Sequence, residues 1–347
     1  MLLLLLLEGA CSVAIVCKHA FFDQPLAERV HTEYDPELGW INLPSVSEPD
    51  MYGPGLALHT NAQRFRQTED LSKEVPEGKL RVIVSGDSFA LGYGVGDDDT
   101  WCAQLAANNP KLEVVNMGQG GYGLDQAWLW YKRVRDEFDH DLHLFTFITH
   151  DFGRMPHRNF TGYGKPVLTV QKGELVVQNT PVPKLPYHLS KLARNGIEFQ
   201  QLSTFRVARR LFAPAESPPE AENSLQQTRD VTAAIARELQ AYHNDKGSLL
   251  VFVHLPTNSP GEDTTWNEFL QAESQRDGWN YLDLTQDFKQ LSAEEREKLI
   301  LKPGDVDYLG AAGHYNAAGN AYIAELLQRR LLEIDEFAEK IQQLEQP

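Results

Sequence analysis

The chain has 347 residues, and hydrophobic side chains make up 42% of them, which is enough for a sizeable core and excludes disorder over most of the chain. Acidic residues outnumber basic ones by 49 to 32, and the net charge of −17 argues against nucleic acid or an anionic membrane surface as the main partner. The three cysteines, Cys11, Cys17 and Cys102, form neither a disulfide framework nor the paired spacing of a zinc site. We expect no metal and no cofactor.

Residues 1–18 are set apart by their composition. They are nearly all apolar up to Cys17, with Glu8 as the main interruption. The segment is shorter than the roughly 20 residues that a spanning helix needs, and no basic residues precede it as in a signal peptide. We predict a hydrophobic anchor or signal segment, which implies an extracytoplasmic location in the periplasm or cell envelope. An amphipathic helix lying at an interface is the alternative.

Residues 19–79 are irregular and rich in proline, glycine and aspartate, which favours short strands and turns over helices. The clearest local pattern in this stretch is YDPELGW at 34–40. We predict a lead-in that packs on a main domain covering residues 80–335. A polar tail is predicted for residues 336–347.

Regular alternation of strands and helices begins at residue 80. Short apolar runs predict strands at 80–84, 112–116, 142–149, 249–255 and 281–284. Helices are predicted between and after them at 100–108, 125–136, 225–243, 265–274 and 317–334. The third run is almost wholly apolar, as in a strand that is buried on both faces. This alternation predicts an α/β fold, a three-layer α/β/α sandwich around a parallel five-stranded sheet.

Residues 153–222 interrupt the alternation. Two β-rich runs at 167–170 and 175–177 flank a Lys172-Gly173 turn and predict a hairpin. A helical stretch at 202–211 and a loop rich in proline and glutamate follow. We interpret this part of the chain as an insertion that forms a lid over the functional site.

Ser88 is the first candidate for chemistry. It follows the first predicted strand in the sequence Gly86-Asp87-Ser88, at the carboxyl end where open α/β sheets bind ligands. The turn from strand to helix holds the hydroxyl beside the unpaired N–H groups of the next helix, which suits a nucleophile that must tolerate an oxyanion. The alternative is that Ser88 serves as the N-cap of that helix. We expect Asp87 to pin the turn by hydrogen bonds to the backbone.

A nucleophilic serine needs a base, and His314 is the best candidate. It lies immediately before the last predicted helix, in the sequence GHYNAAGN, with Asn316 in position to cap that helix. The alternative is a histidine in a surface loop. The His140–His143 pair precedes a buried strand and has no third ligand, so a metal site there is disfavoured.

The order of these residues resembles that of the SGNH/GDSL hydrolase family. The Gly86–Ser88 turn, Asn116 with Gly121 five residues later, a third strand that ends before Asp151, and the late His314 follow the family's order. The resemblance extends over residues 80–330, and the lead-in resembles that of many bacterial members.

The resemblance implies a flavodoxin-like fold in which Ser88 is the nucleophile. It also implies that the backbone N–H groups of Ser88 and Gly121 form the oxyanion hole, for which a residue without Cβ allows close approach. A flexible turn or a phosphate cradle is the alternative for the glycine run at 118–123, although its spacing differs from G-x-G-x-x-G.

The chain departs from the family pattern at two places. His150 occupies the position of the asparagine that completes the oxyanion hole; imidazole can donate a hydrogen bond there, or His150 has no role. Ala311 occupies the position of the aspartate that orients the histidine. Asp307, or Asp305, is the candidate replacement, unless both are solvated loop residues. Otherwise Ser88 and the histidine form a dyad supported by a backbone carbonyl.

These observations predict a serine hydrolase that acts on carboxylic esters, an O-acyl or O-acetyl esterase. The expected partner is a small-molecule or glycan ester. One alternative is an O-acyltransferase for an extracytoplasmic polysaccharide, since an anchor and a lid that excludes water would favour transfer. The other is a catalytically impaired binding protein on the same fold, which the residues Ala311 and His150 suggest.

Overall fold

A computed structural model describes residues 31–160, 163–183, 221–259 and 264–344, together with residues 3, 6–14 and 204. Residues 6–14 are helical. The strands are β1 Thr32–Asp35, β2 Gly39–Asn42, β3 Ser47–Glu48, β4 Leu58–His59, β5 Leu80–Gly86, β6 Leu112–Gly118, β7 Leu142–Phe147, β8 Asn159–Phe160, β9 Tyr163–Gly164, β10 Val167–Gln171, β11 Glu174–Gln178, β12 Leu249–His254 and β13 Asn280–Asp283. The helices are α1 Ser88–Leu91, α2 Trp101–Asn108, α3 Leu124–Val134, α4 Thr149–Arg154, α5 Ala221–Lys246, α6 Thr265–Asp277, α7 Thr285–Lys289, α8 Ala293–Glu297, α9 Ala317–Leu331 and α10 Asp335–Gln343.

The central sheet has five parallel strands in the order β13-β12-β7-β5-β6. The chain runs from β5 outward to β6, then returns across β5 to β7 and continues to the other edge. The direction of winding therefore reverses between β5 and β7, which is the point where sheets of this flavodoxin-like order bind ligands. In β5 the final residue, Gly86, pairs with Gly118 of β6, so both strands end at the same level.

Helices cover both faces of the sheet because successive residues of each buried strand point to opposite sides. On one face, Ile83, Phe145 and Phe252 pack against α3, α5 and α6. On the other face, Val82 and Val251 pack against α2 and α9. Burying each such side chain is worth about 1.5–3 kcal/mol, which explains why these strands are continuous apolar runs. The predicted three-layer α/β/α sandwich is confirmed.

The lead-in contains short antiparallel strand pairs, β1 with β2 and β3 with β4, as predicted. Arg66, 5% exposed, connects it to the turn that follows α1. Its guanidinium donates hydrogen bonds to the carbonyl oxygens of Leu91, Gly92 and Val95 at 2.6–2.8 Å and pairs with Asp97. The lead-in is thus anchored beside the first turn of the sheet's carboxyl edge.

The predicted polar tail is wrong. Residues from Asp335 to Gln343 form helix α10, which packs on the sheet face covered by α2 and α9. Phe337 and Ile341 are four residues apart on one side of this helix and are 2% and 8% exposed. Two apolar residues at helical spacing are therefore enough to dock a segment whose composition is otherwise polar.

The predicted hairpin in the insertion is confirmed as β10 and β11, with Lys172 and Gly173 at positive φ in the turn. The predicted helical stretch at 202–211 lies outside the described residues apart from Thr204, so the lid stays a prediction. No helix in the described part of the chain combines the length and the apolar character that a membrane span requires.

Candidate active site

The turn after β5 decides which residue caps the next helix. Asp87 is the N-cap of α1, and its Oδ1 accepts a hydrogen bond of 2.8 Å from the backbone N–H of Phe89. Ser88 is the first helical residue, so its side chain is not used for capping. The helix ends at once, at Gly92 with φ +88°. The expected role of Asp87 is confirmed, and the hydroxyl of Ser88 is available for another partner.

That partner is His314, 226 positions away in the sequence. Ser88 Oγ lies 2.7 Å from Nε2 of the imidazole. The other ring nitrogen, Nδ1, lies 3.2 Å from the carbonyl oxygen of Ala311. Because a carbonyl oxygen can only accept, Nδ1 carries the proton and Nε2 is the acceptor for the Ser88 hydroxyl. The histidine therefore has the tautomer that a base for Ser88 requires.

The imidazole of His314 is held by its surroundings on several sides. The Phe89 ring stacks on it with centroids 4.4 Å apart. Its own backbone carbonyl accepts from Leu301 N at 2.8 Å. Just beyond it, Asn316 caps α9 by accepting from Gly319 N at 2.9 Å, as the sequence predicts. The chain on both sides of His314 is thus fixed by hydrogen bonds.

Burial lowers the pKa of His314 to about 4, although the nearby Asp87 carboxylate and the Ala311 carbonyl both act to raise it. Loss of solvation disfavours the imidazolium form in this position. At neutral pH the ring is therefore neutral and able to accept a proton.

A cluster of charged groups, which sequence reasoning missed, lies beside this pair. Arg154 Nη1 is 2.5 Å from Asp151 Oδ1, 3.3 Å from Asp87 Oδ2 and 2.7 Å from the Tyr122 carbonyl. Both carboxyl groups are 1% exposed. Burial, reinforced by the charge of Asp87, raises the pKa of Asp151 well above its usual range. The spacing of three residues between Asp151 and Arg154 is the sequence signal for their contact.

Gly121 lies in the loop between β6 and α3, and this loop is tied to the end of β5 by a 3.1 Å hydrogen bond from Gln119 N to the Gly86 carbonyl. Gly121 has φ +76°, and a Cβ at this position would collide with the ring of Phe160. Both observations require glycine. Its N–H donates to no acceptor among the described residues.

His150 and Asp307 have different outcomes. His150 is exposed in the first turn of α4, just past the end of β7, at the same edge of the sheet as Ser88. A role for it in the oxyanion hole stays a prediction. Asp307 is not the residue that orients His314: its N–H donates to the Tyr52 carbonyl, and its carboxylate lies against Gly53. The Ala311 carbonyl occupies that position instead.

The described residues contain no group of histidine, cysteine and acidic side chains arranged for a metal ion. His143 instead has its Nε2 2.7 Å from Ser85 Oγ in the core. Cys102 is 2% exposed and packs among apolar residues.

No family model matches the sequence, and no curated protein matches it. Among solved structures, the chain is similar to a member of the G-D-S-L lipolytic family from Veillonella parvula DSM 2008, with 14% identity and a TM-score of 0.37 over 72% of this chain and 99% of the other. It is also similar to a GDSL-like lipase from Bacteroides thetaiotaomicron VPI-5482, with 11% identity and a TM-score of 0.36 over 75% and 91% of the two chains. An acetyl xylan esterase has 10% identity and a TM-score of 0.39 over 73% of this chain and 100% of its own. The sequence motifs resemble the same G-D-S-L family.

Proposed function

We propose that this protein is a serine hydrolase that cleaves carboxylic esters, with Ser88 as nucleophile and His314 as general base. The observation that carries the proposal is the 2.7 Å hydrogen bond from Ser88 Oγ to His314 Nε2, with the opposite nitrogen occupied by a carbonyl. Proximity and the correct tautomer are the two requirements for activating a serine hydroxyl.

In the proposed reaction, Ser88 Oγ forms a bond to the ester carbonyl carbon while its proton moves to His314 Nε2. The carbonyl electron pair moves to oxygen, and the backbone N–H groups of Ser88 and Gly121 stabilise this oxyanion. When the oxyanion collapses, the alcohol leaves with the proton from His314. Water then attacks the acyl-serine by the same route, with His314 again as base, and releases the acid.

The imidazolium that forms in this reaction lacks the usual carboxylate partner. Its Nδ1–H donates to the Ala311 carbonyl, and the charge of Asp87 also favours the protonated ring. A carbonyl carries only a partial charge, so this support is weaker than that of a carboxylate. We expect a working but slower dyad, rather than the impaired binding protein considered above.

The narrow surroundings of Ser88 favour a small acyl group. Ser88 is 4% exposed, and the Phe160 ring lies directly against Gly121. An acetyl group fits such a site better than a long acyl chain. An acetylated glycan outside the cytoplasm is the substrate class that this reasoning favours, with residues 1–18 as the proposed anchor.

The burial of Ser88 also favours a second candidate, an O-acyltransferase. If water reaches the acyl-serine slowly, a sugar hydroxyl can attack it instead, with His314 removing its proton. A labelled acetyl donor incubated with and without a glycan acceptor separates the two functions, because only a transferase moves the label onto sugar.

The test of the proposal is turnover of p-nitrophenyl acetate by Ser88→Ala. Ser85→Ala is a matched control, because Ser85 is a buried serine near the end of β5 with its own 2.7 Å contact to a histidine. We expect Ser88→Ala to lose turnover and labelling by a fluorophosphonate, while Ser85→Ala keeps both. Unchanged turnover in Ser88→Ala would refute the proposal.

A further inference from the structure

The backbone orientation of the loop that carries the Gly121 N–H, the proposed oxyanion donor, is only weakly restricted by its own residues. The peptide that joins Gly120 to Gly121 has a glycine on each side, so no Cβ restricts rotation of its plane. Rotating that plane would turn the Gly121 N–H away from the site. A contact from outside the loop is needed to select one orientation.

Trp40 of the lead-in supplies such a contact. Its indole Nε1–H donates a buried hydrogen bond of 2.9 Å to the Gly120 carbonyl oxygen. The indole is itself fixed, because Trp40 is 1% exposed and its ring packs against those of Tyr122 and Tyr163, with centroids 5.4 and 5.2 Å away. The Tyr122 hydroxyl also donates to the backbone carbonyl of Trp40. The indole therefore cannot follow the carbonyl to a new position without disturbing this packing.

Because the peptide group is planar, the contact between Trp40 and the Gly120 carbonyl also fixes the direction of the Gly121 N–H. In a trans peptide the C=O and the following N–H lie in one plane and point in opposite directions. Holding the Gly120 carbonyl against Trp40 therefore aims the Gly121 N–H to the other side of the loop, where it meets no acceptor among the described residues.

We propose that Trp40 is a positioning residue that fixes the Gly120–Gly121 peptide plane and so aims the Gly121 N–H at the oxyanion formed on the Ser88 ester. The inference rests on the proposed function and adds a role for the lead-in. Other side chains hold the ends of the same loop: Asn42 Nδ2 donates to the Gly118 carbonyl at 3.3 Å, and Arg154 binds the Tyr122 carbonyl.

Trp40→Phe tests this role, because it keeps an aromatic ring and removes the indole N–H. Trp128→Phe is the matched control: Trp128 is 2% exposed in the same core, and its Nε1–H donates to Glu238 at 2.6 Å, on the side of α3 that packs toward α5. Removing an oxyanion donor lowers kcat by about 100- to 1,000-fold, so misaiming one should lower it by about 10- to 100-fold. We expect that loss in Trp40→Phe, with KM and melting temperature no more altered than in Trp128→Phe.

The affinity of a boronic acid inhibitor is a second measurement. It should not change if Trp40 has only a structural role. The inhibitor's boron accepts an electron pair from Ser88 Oγ while the hydroxyl proton moves to His314 Nε2, and one oxygen of the resulting tetrahedral anion occupies the oxyanion position. Methylboronic acid, which is matched in size to an acetyl group, should bind Trp40→Phe more weakly by the same factor as the loss in kcat/KM. Replacing Trp40 with 3-benzothienylalanine, which keeps the bicyclic ring but has sulfur in place of N–H, should reproduce the effect if Trp40→Phe folds poorly.

Equal kcat and equal boronate affinity in the two Trp→Phe variants would overturn the role of Trp40 and leave the proposed function intact. A wild-type protein that neither hydrolyses the ester nor binds the boronate would overturn both proposals.

Discussion

Acidification from pH 7 to pH 5 is expected to destabilise the fold through histidines rather than carboxylates. His143 and His243 are 0% exposed, and His143 Nδ1 lies 3.2 Å from His243 Nε2. Their outer ring nitrogens lie 2.7 Å from the hydroxyls of Ser85 and Ser248. Tyr131 stacks on His143 with centroids 3.8 Å apart. Strands β5 and β7 are thereby connected to helices α3 and α5 through imidazole rings.

The hydrogen bonds determine the protonation state of this network, starting from His140. Its Nδ1 lies 3.0 Å from the Phe138 carbonyl, which can only accept, so Nδ1 carries the proton. His140 Nε2 then accepts from the Tyr131 hydroxyl at 2.8 Å. The Tyr131 oxygen in turn accepts from His243 Nε2–H at 3.1 Å. His243 Nδ1 is left to accept from the Ser248 hydroxyl.

The same His243 N–H also faces His143 Nδ1, so His143 donates through Nε2 to Ser85. Every ring nitrogen in the network is used, and every imidazole is neutral. An added proton would place a donor opposite another donor in a buried site, which costs free energy.

The pKa values of the buried histidines give the size of the expected loss in the free energy of unfolding. Burial lowers the pKa of His243 to about 3 and that of His254 to about 4, from an ordinary value of 6.5. The unfolded chain takes up protons below pH 6.5, whereas the folded chain does so only near pH 3–4, so this stability is present above pH 6.5 and is lost as the pH falls. At pH 5 each of these two histidines lowers the free energy of unfolding by about 2 kcal/mol, or about 4 kcal/mol together. Burial also lowers the pKa of His143 well below its usual range and that of His314 to about 4, which adds to the loss. The raised pKa of Asp151 acts in the opposite direction, because the folded chain already binds that proton.

Urea unfolding followed by tryptophan fluorescence at pH 7, 6 and 5 measures this effect. We expect the free energy of unfolding to fall by about 4 kcal/mol or more by pH 5, out of the 5–15 kcal/mol typical of a domain. His243→Gln should be less stable at pH 7 but should lose about 2 kcal/mol less on acidification. A free energy of unfolding at pH 5 within about 1 kcal/mol of its value at pH 7 would refute the reasoning.

Two further predictions concern the base and the last helix. Because the pKa of His314 is about 4, the ring is about nine-tenths neutral at pH 5, so the acid limb of kcat/KM should lie near pH 4. Initial rates after dilution from pH 7 test this, and a limb near 6.5 would contradict it. Phe337→Ala should lower the free energy of unfolding by about 3–5 kcal/mol, because the side chain is 2% exposed in the core. The exposed neighbour variant Glu336→Ala should change it by less than about 0.5 kcal/mol, and equal effects would contradict the docking of α10.

The sheet was predictable because its strands are buried on both faces. Continuous apolar runs such as β7 and β12 are local patterns, and the observed strands of the central sheet begin and end within two residues of the predicted ones. Helix α10 was missed because only two of its nine residues, Phe337 and Ile341, are buried in an otherwise polar segment. Such a pattern becomes recognisable only when the surface that it covers is known.

The candidate site was predictable only in part. Ser88, Gly121 and His314 lie next to strand ends or helix starts, which local patterns identify. The contacts of Arg154 with the Tyr122 carbonyl and of Trp40 with the Gly120 carbonyl were missed because each joins a side chain to a distant backbone group. A contact of that kind leaves no periodic or spacing signal in the chain.

By itself, the amino-acid sequence determined the strand and helix alternation, the parallel sheet and the position of Ser88 at its carboxyl edge, because each follows from burial patterns over a few residues. The tertiary structure decided that Ser88 meets His314, and that the Ala311 carbonyl rather than Asp307 binds the second imidazole nitrogen. These outcomes depend on which side chains meet after the chain has folded, over separations as long as 226 residues. Local propensity carries no information about such long-range contacts, since they are determined by packing and by the need to satisfy buried polar groups.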